Sequence, residues 1–194
     1  MIEQIWRIWL SGGWVMLPLF VLAVALYTQA YQLVMYVRRT ELAAGDDLEW
    51  WRWVRSPDTA EGRVAEIVRY TQSGVSSAKQ IRNRFDEVRQ AIVAPLDRRT
   101  RFVGSLVATA PLLGLLGTVL GMLQTFFGIS TSGGTETAGV VASGISEALV
   151  TTQAGLTVAL PGLFAVMVIQ RRKHQIEAKI ARLESLTLTH LKFE

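Results

Sequence analysis

Apolar positions along the chain fall into three long runs, separated and followed by stretches in which charge returns at helical spacing. Residues 2–10, IEQIWRIWL, place Ile2, Ile5, Trp6, Trp9 and Leu10 on one side, with Glu3, Gln4 and Arg7 interleaved. This pattern suits either a short helix lying at a membrane interface or a plain apolar lead into the first run. Ser11-Gly12-Gly13 breaks the chain, and the first run, 14–37, ends at Arg38-Arg39. It meets the roughly 20 residues a bilayer requires. It does not read as a signal peptide, because no basic segment precedes it and Ala23-Val24-Ala25 lies inside it. Thr28, Gln29 and Gln32 make one side mildly polar, and that side is expected to meet protein.

Residues 38–101 predict helices and no strands. Gly45-Asp46-Asp47 and Ser56-Pro57-Asp58 read as breaks with capping residues. Trp50, Trp51 and Trp53 either rest on the membrane surface or fill a small core. From about Ser76, Ile81, Phe85, Val88, Ile92 and Leu96 recur at steps of four, three, four and four, which predicts an amphipathic helix. It runs on, with a possible kink at Pro95, into the second span at 102–127. The segment 128–139 has no Lys or Arg and reads as a loop outside the cytoplasm; its Glu136 reads as solvated. The third span, 140–169, is stopped by Arg171-Arg172-Lys173. In the tail, 170–194, Ile176, Ile180, Leu183 and Leu186 or Leu188 continue the helical period. The expected fold is an all-α integral membrane protein with three spans. The second and third extend into the cytoplasm, with the N-terminus (1–13) outside and the C-terminus inside.

Charge placement gives that orientation. Of 20 Lys and Arg residues, thirteen fall between Arg38 and Arg101 and six follow Gln170. Both blocks flank apolar runs, the positive-inside pattern. They read as topology signals and anionic-lipid contacts and not as a nucleic-acid surface. Cysteine is absent, which excludes disulfides, thiolate metal sites and Cys nucleophiles. His174 and His190 lie outside the apolar runs. There is no P-loop, HExxH or GxSxG, and no span holds two acids. No enzyme activity, metal or cofactor is expected.

The candidate chemistry is one acid, Glu147, inside the third span. A carboxyl at that depth costs about 2.5–3.5 kcal/mol on insertion scales, so acids there have a partner or a pathway. Counting inward from the span ends at 1.5 Å per residue puts Thr118 roughly 13 Å and Glu147 roughly 10 Å down, in one polar layer. At roughly 100° per residue, Ser143, Thr151, Ala154 and Pro161 fall within about 40° of Glu147, while Thr152 is about 140° away. Gly114, Gly117 and Gly121 on the second span, and Gly144 and Gly155 on the third, form small-xxx-small patterns that permit close helix packing, within the chain in the favoured reading and between subunits in the alternative.

Two stretches carry a family resemblance: 108–122, ATAPLLGLLGTVLGM, and 144–156, GISEALVTTQAGL, followed by Ala159-Leu160-Pro161. They resemble the MotA/TolQ/ExbB proton-channel family, in its ExbB/TolQ branch. Three spans in place of four argue against the flagellar MotA branch. The resemblance implies a Gram-negative inner-membrane subunit that forms a homo-oligomer, a pentamer in the family, around single-span ExbD/TolR-like partners. Proton flow then energises a TonB- or TolA-like protein. It implies a polar pore collar at Thr118, Glu147 and Thr152, with Thr151 able to share the role, and helix packing at the five glycines and Pro161. The alternative reading is a passive membrane scaffold in which Glu147 is only a hydrogen-bonded lock.

Overall fold

The structure is a computed structural model that describes residues 12–40, 47–59, 62–131 and 137–191. The expected interfacial helix at 1–13, all but its last two residues, and Glu136 lie outside the described residues. Helix α1 is Met16–Thr40, α2 is Asp47–Arg55, α3 is Gly62–Gln72, α4 is Ala78–Thr131 and α5 is Thr137–His190, with a 3-10 turn at Pro57–Thr59. No strand occurs among the described residues.

Three of these helices, α1, α4 and α5, are long and apolar enough to cross a membrane. At 54 residues each, α4 and α5 measure about 80 Å, far beyond a hydrocarbon layer of about 30 Å. Their apolar stretches, 102–127 and 140–169, take up only part of that length. Gln80 starts α4 by reaching back to the Ser76 N–H at 2.9 Å and hydroxyl at 3.2 Å, satisfying a donor at the helix entrance. The helix then continues through Pro95.

The chain divides into two compact units. One comprises residues 1–32 and 101–166, the other 33–100 and 167–194. In the first, α1 buries Met16, Leu19, Leu26 and Ala30, and Val15 just ahead of it is buried too. Thr28 and Gln32 stay exposed, and the Thr28 hydroxyl donates to the Val24 carbonyl of its own helix. The face of α1 that meets the rest of the chain is thus its apolar one, because an apolar stripe packs without unsatisfied groups. Tyr27 Oη donates to the Val158 carbonyl of α5 at 3.1 Å.

In the second unit, Ile81, Phe85, Val93 and Leu96 of α4 are buried, with Ile169, Ile176, Ile180, Leu183 and Leu186 of α5 and Val64, Ile67 and Val68 of α3. Trp50 fills this core while Trp51 is exposed and stands edge-on to His190. Arg84 donates to the Tyr70 and Ser73 carbonyls at 2.6 and 2.5 Å, satisfying the open C-terminal end of α3. Tyr70 Oη also hydrogen-bonds the Glu87 carboxylate. Two ion pairs join α4 to α5: Asp97 with Lys173 at 2.5 Å and Arg89 with Glu184 at 3.2 Å.

Candidate ion-pathway site

The first unit is organised by an antiparallel seam of small residues between α4 and α5. A methyl on Gly155 would stand 2.7 Å from the Ala110 carbonyl oxygen, and one on Gly114 only 3.1 Å from the Thr152 Cα. Further along, a methyl on Gly121 or Gly144 would meet the other residue's carbonyl oxygen at 2.7 Å. Glycine is what lets these backbones touch, and close packing replaces the hydrophobic drive that lipid does not supply. Pro161 lies inside α5 but is exposed, outside this seam.

Four threonines sit along the seam in different ways. Thr151 is fully buried over Gly117. Its hydroxyl donates to the Glu147 and Ala148 carbonyls of its own helix, at 3.1 and 3.0 Å. Thr125, which the sequence reading does not single out, is also buried; it donates to the Gly121 carbonyl at 2.9 Å and packs against Gly144. Thr152 is half-buried and donates across the seam to the Gly114 carbonyl at 3.3 Å, as well as to Ala148 at 3.1 Å. In an α-helix that same Gly114 carbonyl receives the N–H of residue 118. The Thr152 hydroxyl of α5 and the backbone N–H of residue 118 in α4 therefore share one carbonyl. Thr118 is half-exposed, with its hydroxyl on the Leu115 carbonyl at 2.7 Å.

Glu147 is level with Gly121, whose neighbours across the seam are Gly144 and Ala148. Thr118 is three residues along α4, so the two polar groups differ by about 4.5 Å, close to one helical turn. The carboxylate of Glu147 lies against Gly13, just ahead of α1, and Val150 packs near Gly12. The sequence reads Ser11-Gly12-Gly13 only as a break. Its second role joins two distant stretches of the chain, and no spacing within either one signals it.

Around these groups the spans are apolar and largely exposed, with Leu112, Leu115, Val119, Leu123, Leu149 and Leu160 among the outward residues. No group of three or more metal-ligating side chains occurs among the described residues.

Three apolar helices, two of them zipped by glycine and carrying isolated polar groups, define a multi-pass helical membrane protein. The chain belongs to the MotA/TolQ/ExbB proton channel family, whose model matches residues 61–182. It is similar to the ExbB-like 1 protein of Synechocystis sp., with 33% identity over 179 residues, covering 83% of this chain and 67% of that protein. It is 30% identical over 168 residues to ExbB-like 3 of the same organism, covering 79% of each chain. A shorter match, 34% over 85 residues, links it to the Tol-Pal system protein TolQ of Haemophilus influenzae, covering 44% of this chain and 37% of that one. These relatives place it in the ExbB/TolQ branch.

Proposed function

We propose that the chain is the wall-forming subunit of a proton-driven complex in the inner membrane of a Gram-negative bacterium. Copies of it form a ring, a pentamer in this reading, with the N-terminus outside and the charged ends of α4 and α5 in the cytoplasm. The ring surrounds an ExbD/TolR-like single-span partner and energises a TonB- or TolA-like protein. Thr118, Thr152 and Glu147 are the polar groups each copy offers to the pathway, and Thr151 holds the seam that positions them.

The observation that carries this reading is that the apolar stretches 14–37, 102–127 and 140–169 contain a single carboxyl, Glu147. One carboxyl can hold a proton but cannot hand it to a second within the chain. A proton channel built from this chain therefore draws its second titrating group from another chain. The test is reconstitution in vesicles with and without a single-span partner bearing a membrane Asp. Proton uptake that needs both chains, and falls on Glu147→Gln with assembly intact, supports the proposal. A stable monomer by mass measurement in detergent overturns it.

The placement of Glu147 against Gly13 favours a second reading, in which the acid is a structural lock and the chain a passive scaffold. There, Glu147→Gln leaves energy-dependent function unchanged.

A further inference from the structure

Glu147 reaches its position only because residue 13 has no side chain. A Cβ on Gly13 would stand 2.6 Å from the Glu147 Cδ and 3.3 Å from its Cγ, and would overlap one carboxylate oxygen. The obstructed atoms are the far end of a flexible side chain, so a side chain at residue 13 displaces the carboxyl and not the backbone of α5. Gly13 also has φ +65°, in the left-handed region where a side chain is strained. This bend leads into α1, whose first turn starts immediately: the Met16 N–H donates to the Gly13 carbonyl at 3.3 Å and the Leu17 N–H to the Trp14 carbonyl at 3.2 Å. The neighbouring Gly12 is buried, and a methyl there would meet Met16 Cγ at 2.6 Å and Val150 Cγ1 at 3.2 Å. The two glycines thus seat the start of α1 on two residues of α5 one turn apart, Glu147 and Val150.

We propose that Gly13 is a positioning residue for the membrane carboxyl. Its missing side chain forms the notch in which the Glu147 carboxylate rests, at the N-terminal turn of α1. The notch holds the acid on the α1 side of α5, whereas the Thr152 hydroxyl turns to the Gly114 carbonyl of α4. To reach any other partner the side chain must leave the notch. The inference deepens the proton-pathway reading above and rests on it for its purpose, but not for its geometry.

The test separates the contact from backbone strain. Gly13→Asn keeps a residue that tolerates positive φ but adds a side chain; Gly13→Ala adds a Cβ and the strain together. In membranes containing the full complex, carbodiimide modification of Glu147 is followed by mass spectrometry. Both variants are expected to raise its rate several-fold, because the carboxyl is expelled from the notch. Glu147→Asp, one methylene shorter, is expected to bring the Gly13→Asn rate back towards that of Glu147→Asp alone. Unchanged labelling in both variants, with the oligomer intact, overturns the proposal. If either variant fails to accumulate, Glu147→Ala is added to the same chain. Recovery to the level of Glu147→Ala alone supports the notch, and no recovery overturns it. Neither labelling nor accumulation depends on proton transport, so this inference can fail while the proposed function stands, and the reverse.

Discussion

Thr151 covers Gly117: the threonine Cβ lies 2.5 Å from where a Cβ on residue 117 would be. The hydroxyl in this contact is satisfied by its own helix, so the pair is a packing contact with no polar group left over. Gly117→Ala is expected to cost about 1–3 kcal/mol through overpacking. Thr151→Gly in the same chain should recover much of that loss. Thermal unfolding of the detergent-solubilised protein measures both, and additive losses would show that the two residues do not compete for the same space.

The two adjacent threonines should separate in function. Thr151→Val keeps shape and removes only a back-bonded hydroxyl, so proton uptake by the reconstituted complex should change little. Thr152→Val removes the hydrogen bond to Gly114 and should cost about 0.6–1.7 kcal/mol of stability. It and Thr118→Val should each lower uptake several-fold at preserved assembly. Equal effects of Thr151→Val and Thr152→Val would argue against the collar as proposed.

A pH dependence follows from Lys173, which lies beyond the apolar stretch. Its hydrogen bond to Asp97 raises its pKa above 10.5, against the opposing effect of burial, with Glu177 adding to the rise. A lysine whose folded pKa is raised contributes stability that is fully present below the unfolded value and is lost as pH climbs through the folded one. Because Asp97 is substantially exposed, the contribution is about 0.5–1 kcal/mol. Lys173→Met should therefore be less stable than the parent at pH 8, and the difference should shrink above about pH 10.5. A constant difference across that range would assign the loss to packing.

Trp50 is buried, and its indole N–H has no hydrogen-bond partner among the described residues. An unmet donor costs about 1–3 kcal/mol. Trp50→Phe should consequently be near neutral, the smaller ring offsetting part of its lost contacts by removing that donor. Phe85→Ala, at a fully buried position with no polar atom, should cost about 3–5 kcal/mol. Denaturant unfolding of both variants compares them directly.

Much of the fold is legible in the residues because its determinants are periodic. Ile81, Phe85 and Leu96 repeat at helical steps and are buried together. The apolar runs are long enough to select spanning helices by length alone. The site is only partly legible. Glu147 stands out because an acid in an apolar run is expensive, and Thr118 because it falls at a similar depth on the preceding span. A helical wheel gives the angle of Thr152 from Glu147. It says nothing of which carbonyl lies opposite, so the meeting of Thr152 with Gly114 depends on the register of two chains of glycines. The same limit hides Gly13. Its contact with Glu147 joins residues 134 positions apart, and no spacing within either helix encodes it.

The glycine seam also bears on how this helix pair takes load. Sliding α4 past α5 would drive a carbonyl oxygen along a gap too narrow for even one methyl, at Ala110 with Gly155 and again at Gly121 with Gly144. Shear between the two helices is blocked by backbone atoms, which cannot rotate aside as side chains do. Torque applied to one helix is therefore borne by both, and the pair resists as a plank instead of as two rods.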